Sequence, residues 1–248
     1  MRKPERFVII GDTHGDMAHI PSLNVVRGFL KCWKPTIRVH LGDLFDLRPF
    51  RNGASDEDRH DGIMADVEAG MELIDWYRPT HFIRGNHDER LWDLQLKDDK
   101  TMGDLAGTLI GDIQDRLDAV KCAPMLPYNK RDGVLRLGHL RVIHGYHAGI
   151  YAARTASQIY GSVIQGHVHS IQHHAIPGLE YRMGRAIGCL CKLELGYNRA
   201  AANTLAWAHG FAYGLIHADG TYQVWQAESI AGNWYLPTEM ASYEIRNG

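Results

Sequence analysis

The 248-residue chain is 45% hydrophobic and 23% charged, and its formal net charge is −2. These values are typical of an ordinary globular protein with one large domain over residues 1–248, and they show no general basic character of the kind that indicates a nucleic-acid partner. The sequence contains no apolar run that could span a bilayer and no signal-like segment before the first predicted strand, so we expect a cytoplasmic protein without a membrane partner.

Five short apolar runs predict β-strands, and a polar motif follows each of them. The strands are predicted over Phe7–Ile10, Ile37–Leu41, His81–Ile83, Leu140–Ile143 and Ser162–Ile164. The motifs are Gly11-Asp12-Thr13-His14-Gly15, Gly42-Asp43-Leu44-Phe45-Asp46, Gly85-Asn86-His87-Asp88, His144-Gly145 and Gly166-His167-Val168-His169. Glycine lets a chain turn sharply as it leaves a strand. Because open α/β sheets build their sites at the carboxyl ends of strands, we expect these donors to meet there.

Helical spacing of apolar residues predicts three helices, over Ile20–Trp33, Asp61–Tyr77 and Ile150–Tyr160. A polar, arginine-containing loop, Leu47–His60, precedes the second helix, and loops of this length are usually functional or mobile. Residues 88–121 are charged and mostly helical in pattern, with a weak break at Gly103. Four apolar positions in this stretch recur every four residues: Leu105, Leu109, Ile113 and Leu117.

Near the C-terminus, Val134–Leu137 is predicted as a further strand, and the tail from Tyr197 is rich in aromatic residues and glycine. Asp219-Gly220 in this tail predicts a hairpin turn. Strand alternation over Cys189-Leu190-Cys191 would place both thiols on one face. Buried thiols are therefore favoured over metal ligands or a disulfide.

The order of the five motifs resembles that of the calcineurin-like metallophosphoesterases, D-x-H, G-D-x-x-D, G-N-H-[D/E], H and G-H-x-H, over residues 7 to about 170. The resemblance implies an α/β fold in which two mixed β-sheets pack as a sandwich flanked by helices. We expect the tail to supply closing strands of the second sheet and an irregular C-terminus. In the family an insertion after the third motif often forms a cap beside the metals. The segment of about residues 89–121 is therefore either such a cap or an outer-layer helix, and we favour the outer-layer helix.

The resemblance also implies a site for two divalent metal ions with a bridging hydroxide as the nucleophile. The resemblance assigns Asp12, His14 and His169 to the first ion, and it assigns Asn86, His144 and His167 to the second. Asp43 would bridge the two ions. Two metals about 3.5–4 Å apart can clamp the attacking and leaving oxygens of a phosphoryl transfer. Mixed imidazole and oxygen ligation suits manganese, which we favour, as well as iron, zinc or nickel.

His87 lies next to a ligand but belongs to neither metal in the family pattern. The resemblance implies that it is the general acid, which protonates the leaving alkoxide. A carboxylate must orient its imidazole. Asp46 matches the family's partner for this histidine, and Asp88 is a second candidate.

The substrate class depends on departures from the protein Ser/Thr phosphatases of the superfamily, which read G-D-x-x-D-R-G and G-N-H-E. This chain has Asp46-Leu47-Arg48, so the arginine that grips a phosphomonoester is displaced by one position, and the third motif ends in Asp88. The second and third motifs are more similar to DNA repair exonucleases and other phosphodiesterases, including small bacterial or phage phosphoesterases.

We therefore expect a phosphodiesterase that acts on nucleic-acid ends, nucleotides or small diesters. A broad-range phosphomonoesterase is the alternative, and a metal-bound scaffold without catalysis is less favoured because His87 is intact. The candidates for holding a neighbouring phosphate or nucleotide group are Arg48, Arg51 and Arg90.

Overall fold

The computed structural model describes residues 3–51, 53–60, 62–194 and 201–236, which form two mixed β-sheets and six α-helices. The strands are β1 (Glu5–Ile10), β2 (Ile37–His40), β3 (His81–Phe82), β4 (Leu135–Leu137), β5 (Leu140–Ile143), β6 (Val163–Gln165), β7 (Ile171–Ile176), β8 (Arg182–Ile187), β9 (Gly210–Ile216), β10 (Tyr222–Ile230) and β11 (Asn233–Tyr235). The helices are α1 (Ile20–Trp33), α2 (Asp56–His60), α3 (Met64–Tyr77), α4 (Asn86–Gln95), α5 (Lys100–Ala119) and α6 (Ala152–Tyr160).

The first sheet has the strand order β11-β10-β9-β1-β2-β3, and the second has the order β4-β5-β6-β8-β7. In the first sheet β1, β2 and β3 are parallel, and in the second β5, β6 and β8 are parallel. The carboxyl ends of the parallel strands therefore lie together at one edge of each sheet, which is where the polar motifs begin.

The central strand β1 is buried on both faces, which explains its unbroken apolar sequence. Phe7 and Ile9 pack between the two sheets, in a cluster with Val142 of β5 and Ile164 of β6. On the other face, Val8 and Ile10 pack against helices, in a cluster that includes Phe29 of α1, Ile74 of α3 and Leu109 of α5. The predicted fold class, two mixed sheets in a sandwich flanked by helices, is confirmed.

The helix predicted over Ile20–Trp33 is α1, while α3 and α6 lie within the other two predicted segments. The predicted start of the second helix at Asp61 lies outside the described residues. The predicted polar loop Leu47–His60 contains a 3-10 turn over Arg48–Phe50 and the short helix α2. None of the described helices is both long and apolar enough to cross a membrane.

Residues 88–121 contain two helices, α4 and α5, but the predicted break at Gly103 is wrong. The chain leaves α4 at Leu96, and Asp99 begins α5 by accepting a hydrogen bond from the Met102 backbone N–H at 3.2 Å. Gly103 lies inside the first turns of α5, where a glycine costs only about 1 kcal/mol relative to alanine.

Helix α5 packs on α3 and α4 through one apolar face. Leu109, Ile113 and Leu117 are buried in the cluster beneath the first sheet, whereas Leu105 is 42% exposed. This placement is that of an outer-layer helix. Whether the segment also acts as a cap beside the active site stays a prediction.

The tail forms the predicted hairpin, in which β9 and β10 pair around Asp219-Gly220. Asp219 accepts hydrogen bonds from the backbone N–H and the hydroxyl of Thr221, and Gly220 has φ +84°. The prediction that these strands close the second sheet is wrong, because β9 pairs antiparallel with β1 and extends the first sheet. An irregular C-terminus is also predicted, and residues 237–248 lie outside the described residues.

Candidate metal centre and active site

The motifs converge because the backbone of each motif packs directly on another. The Asp12 N–H donates to the Gly42 carbonyl, and the His14 N–H donates to the Asp43 carbonyl, both at 3.0 Å. Gly42 has φ +103°, and a Cβ built on it would overlap the backbone of Gly85. The second and third motifs can approach this closely only because both positions are glycine.

Five of the seven predicted ligands have a left-handed backbone conformation, with φ between 49° and 69°. They are Asp12, His14, Asp43, His167 and His169. Such conformations cost on the order of 1–3 kcal/mol each in residues other than glycine and concentrate at functional sites. Here they turn the side chains back over the edge of the sheets, so that imidazoles and carboxylates share one buried space.

The first group of side chains is Asp12, His14, Asp43 and His169, whose potential ligand atoms all lie within 4.8 Å of one another. His14 Nε2 lies 3.1 Å from His169 Nε2, and His169 Nε2 lies 3.3 Å from Asp12 Oδ1. All four side chains are buried. Buried imidazole nitrogens and carboxylate oxygens that lie this close together suit a cation, which would satisfy all of them at once.

The second group is Asp43, His144 and His167, again within 4.8 Å. Asn86 joins it, because its Oδ1 lies 3.1 Å from His144 Nε2 and 2.8 Å from His167 Nδ1. Asp43 belongs to both groups: its Oδ2 is 3.4 Å from His144 Nε2 and 3.8 Å from His14 Nε2. The structure therefore brings all seven predicted ligands together around one shared carboxylate.

Contacts on the outer side of the site orient two of the histidines. His144 Nδ1 donates to the Leu41 carbonyl at 3.0 Å, and His14 Nδ1 donates to Asp46 Oδ1 at 2.9 Å. When the ring is neutral, each contact fixes the tautomer in which Nε2 carries the lone pair, on the side of the ring that faces the site. This arrangement is usual for metal-binding histidines.

Charge in the site is balanced between carboxylates and imidazoles. Burial opposes ionisation of Asp43, but the charges of His144 and His87 hold the pKa of its carboxyl well below the ordinary value. Burial alone would lower the pKa of His144, but the charge of Asp43 and its hydrogen bond outweigh burial and raise it to about 9. The pKa of His169 is also raised to about 9, against burial, by the charges of Cys189 and Asp12 and a hydrogen bond to Asp12. Protons thus occupy ligands that a cation would need.

His87 lies at the open side of the site and contacts Asp46. Its Nδ1 is 3.0 Å from Asp46 Oδ1, and its side chain is 14% exposed, whereas those of His14 and His144 are fully buried. Asp46 therefore touches both His14 and His87. Asp88, the other candidate partner for His87, instead accepts hydrogen bonds from the backbone N–H groups of Phe45 and Gly85 at 3.1 and 2.8 Å.

The three arginines proposed from the sequence surround the loop that carries Asp46. Arg48 is buried and forms two hydrogen bonds to Asp16, at 2.8 and 2.7 Å. Arg51 pairs with Asp58 at 2.7 Å, and Arg90 Nη1 donates to the Asp46 carbonyl at 2.7 Å. These contacts support the loop. A direct contact of the arginines with substrate stays a prediction.

Asp66, whose carboxylate binds the backbone of the same loop, was not identified from the sequence. Its two carboxylate oxygens accept the backbone N–H groups of Asp46 at 2.9 Å and Leu47 at 2.6 Å, and burial raises its pKa to about 6. The available signal was an aspartate next to Val67 on the apolar face of a predicted amphipathic helix. Such a residue needs a buried partner.

Trp207 was also missed as a neighbour of the site, because it lies far along the chain from the motifs. Its ring centroid is 4.1 Å from that of His169. Cys189 and Cys191 are buried, as predicted, and all four cysteines are free thiols. Cys191 Sγ is 3.8 Å from His169 Nδ1, which is the ring nitrogen that points away from the first group.

The family model for calcineurin-like phosphoesterases matches residues 5–170, about two thirds of the chain, and covers all five motifs. The chain belongs to the calcineurin-like phosphoesterase family. It is accordingly a phosphoesterase, a hydrolase of a metal-dependent family, and its clustered histidines and aspartates are a candidate metal site.

Several solved structures are similar in shape, at low sequence identity. A metallophosphoesterase from Sphaerobacter thermophilus is 16% identical, with a TM-score of 0.44 over 92% of this chain and 89% of that one. Vacuolar protein sorting 29 from Cryptosporidium parvum is 11% identical, with a TM-score of 0.47 over 94% and 96%. A predicted phosphoesterase from Streptococcus pneumoniae is 13% identical, with a TM-score of 0.39 over 95% and 98%. No curated protein sequence matches the chain significantly.

Proposed function

We propose that the chain is a phosphodiesterase with a binuclear metal centre, acting on nucleic-acid ends, nucleotides or small diesters. The observation that carries this proposal is the position of Asp43, which belongs to both groups of potential ligand atoms. A carboxylate has two oxygens and can bridge two ions, and no other side chain in either group is shared between them. The open side of the same site holds His87, a proton donor outside both groups.

The residues fit two divalent ions, with manganese favoured and iron, zinc or nickel as alternatives. Asp12, His14 and His169 would hold one ion, and Asn86, His144 and His167 the other, with Asp43 between them. When bound, such ions supply a nucleophilic water at neutral pH and stabilise charge on the phosphoryl oxygens. The donor chemistry supports this assignment, because imidazole mixed with carboxylate and amide oxygen suits these metals better than calcium or magnesium.

His87 would donate a proton to the leaving oxygen as the phosphorus–oxygen bond breaks and the water oxygen bonds to phosphorus. Its Nδ1 lies 3.0 Å from both the backbone carbonyl oxygen and Oδ1 of Asp46, so the donated proton would come from the other ring nitrogen. The backbone N–H of His87 donates to Asp43 Oδ1 at 2.8 Å, which ties the acid to the proposed bridging residue.

We expect a preference for diesters because this chain has no arginine directly after Asp46, where the protein Ser/Thr phosphatases have one. A phosphomonoester is a dianion near neutral pH and benefits from a cation beyond the metals. Arg48, the displaced counterpart, is buried and binds Asp16 through both terminal nitrogens. A diester carries one negative charge and needs less cationic help.

Diester hydrolysis should exceed monoester hydrolysis in the manganese-loaded enzyme. The measurement compares kcat/KM for bis-p-nitrophenyl phosphate and p-nitrophenyl phosphate, with metal-stripped protein as the control. A clear preference for the monoester would replace the proposal with a phosphomonoesterase. Failure of the loaded protein to hydrolyse either ester would point to the metal-bound scaffold.

Metal binding should reach two ions per chain and release protons. His144 and His169, with pKa values raised to about 9, are protonated near pH 7 in the metal-free protein. An ion must displace these protons, so about two protons per chain should be released on loading, and the apparent affinity should rise with pH up to about 9. Elemental analysis gives the stoichiometry, and calorimetry in two buffers of different ionisation enthalpy gives the proton count. One ion per chain, or loading without proton release, would contradict this assignment.

A further inference from the structure

A second concave feature lies beside the metal centre, at the same edge of the first sheet. It is a cavity of about 430 Å³, within the usual size range of small-molecule sites. Its walls come from the start of α1, the segment just before β9, and the turn between β10 and β11. The residues that matter for its chemistry are His19, Trp207, His209, Ser229 and Trp234.

Trp207 forms the wall between this cavity and the metal centre. Its ring contacts that of His169, with centroids 4.1 Å apart and planes 59° from parallel, and the same residue lines the cavity. The next residue, Ala208, donates its backbone N–H to the His169 carbonyl at 2.9 Å, which holds this segment against the fifth motif, Gly166-His167-Val168-His169. A group held in the cavity would therefore lie one aromatic ring away from the proposed first metal.

The cavity offers flat rings and no charged side chain. The rings of His19 and His209 are stacked, with centroids 4.2 Å apart and planes 7° from parallel. Trp207 and Trp234 add two indoles. Among the described residues, none of those lining the cavity is an aspartate, glutamate, lysine or arginine. The lining therefore offers no carboxylate, ammonium or guanidinium partner to a charged group, whereas a planar uncharged group would contact the rings.

Each of the two histidines also has a second ring nitrogen that could form a hydrogen bond with a ligand. His19 uses Nδ1 to contact Ser22 Oγ at 2.7 Å, and His209 uses Nε2 to donate to the Cys191 carbonyl at 2.9 Å. Within the described part of the chain, no hydrogen bond is made by the second ring nitrogen of either histidine. Together with the Ser229 hydroxyl, these nitrogens suit the polar edge of a heterocycle.

We propose that this cavity is the subsite for a nucleobase of the diester substrate, with Trp207 as the residue on which the base stacks. The proposal rests on the proposed phosphodiesterase function and narrows its substrate class to nucleoside-containing diesters. In this arrangement the sugar would pass the edge of Trp207 and join the base in the cavity to the scissile phosphate at the proposed metals. Aromatic side chains are the usual stacking surface for unpaired bases, and each stacked base contributes roughly 1–3 kcal/mol.

The test uses two diesters that share one leaving group, thymidine 5′-(p-nitrophenyl phosphate) and methyl p-nitrophenyl phosphate, with the manganese-loaded enzyme. The wild-type KM should be about 10-fold lower for the thymidine ester, as expected for one stacked base. Trp207→Ala should raise the KM for the thymidine ester by about 10-fold and that for the methyl ester far less, while Trp207→Phe should keep most of the preference. Trp225→Ala is the matched control, because Trp225 is a partly exposed indole on β10 that does not line the cavity.

Since Trp207 contacts His169, the metal content of each variant is measured alongside. If Trp207→Ala loses metal, the KM values of His19→Ala for the two esters replace those of Trp207→Ala as the test. His19 lines the cavity but belongs to neither ligand group. A rise in KM confined to the thymidine ester supports the subsite. Equal wild-type KM values, or an equal rise for both esters in the variants, would overturn it while leaving the phosphodiesterase standing. Absence of hydrolysis of both esters by the fully loaded wild-type protein would instead refute the proposed function.

Discussion

Asp43→Asn should abolish turnover and reduce metal content more than a change at any other proposed ligand. Asp43 is the one side chain in both ligand groups, and its carboxyl is fully ionised near neutral pH because adjacent histidine charges lower its pKa. The neutral amide keeps the shape but removes a buried negative charge from both ion positions. Breaking a buried charge pair typically costs roughly 3–5 kcal/mol, which corresponds to roughly 10²–10³-fold or more in a binding constant.

The measurement is elemental analysis after manganese reconstitution, together with the rate on bis-p-nitrophenyl phosphate. Asp75→Asn is the matched control, because Asp75 is an exposed aspartate that pairs with Arg116 away from the site. The metal-free variant supplies an independent readout: with the Asp43 charge gone, the pKa of His144 should fall from about 9, since burial alone lowers it. NMR titration of the imidazole follows this fall. A variant that kept both ions and near-normal turnover would show that Asp43 is not the bridge.

The parts of the site that follow strands could be predicted from sequence because their geometry is local. Each of the motifs combines a buried strand end, a glycine and a polar donor, and parallel strands bring such ends to one edge. Asp12 and Asp43 follow the ends of two adjacent strands, β1 and β2, so their proximity follows directly from strand order. His144 and His167 come from the second sheet in the same way.

The supporting residues could not be predicted, because their partners are distant in sequence. Arg48 is in a polar stretch that indicates solvent exposure, yet it is buried through its contact with Asp16, which is 32 residues earlier. Trp207 reaches His169 only because β9 pairs with β1 and carries the preceding segment to the carboxyl edge of that strand. The sheet to which the tail belongs was mispredicted for the same reason, since the pattern of a strand does not specify its partner.

The predicted helix boundary at Gly103 was wrong because an N-cap residue, and not the low helix propensity of glycine, sets the boundary. Gly103 has poor intrinsic helix propensity and therefore suggested a break. The boundary is set instead by the Asp99 carboxylate, which accepts the Met102 N–H at the start of α5. An N-cap aspartate contributes roughly 0.5–2 kcal/mol, comparable to the cost of one glycine, so the capping signal was available in the sequence and deserved equal weight.

His87→Ala should slow hydrolysis of a dinucleotide by roughly 10²–10⁴-fold while leaving both metals in place, because it removes a proton donor rather than a proposed ligand. The Nδ1 atom of His87 contacts Asp46, which is in neither ligand group. The hydrogen bond from the backbone N–H of residue 87 to Asp43 would remain in the alanine variant. An alkoxide is a poor leaving group and needs the proton, whereas p-nitrophenolate needs little. The loss should therefore be smaller for methyl p-nitrophenyl phosphate.

The decisive comparison is with Asp46→Asn. Asp46 Oδ1 contacts both His87 and His14, at 3.0 and 2.9 Å, so this variant should impair the acid and also loosen a proposed ligand. Loss of such an orienting carboxylate typically weakens metal binding about 10–100-fold. Metal titrations of the two variants thus separate proton donation from ligation. Equal losses on both esters in His87→Ala would argue against the general-acid role, and loss of an ion from that variant would place His87 among the ligands.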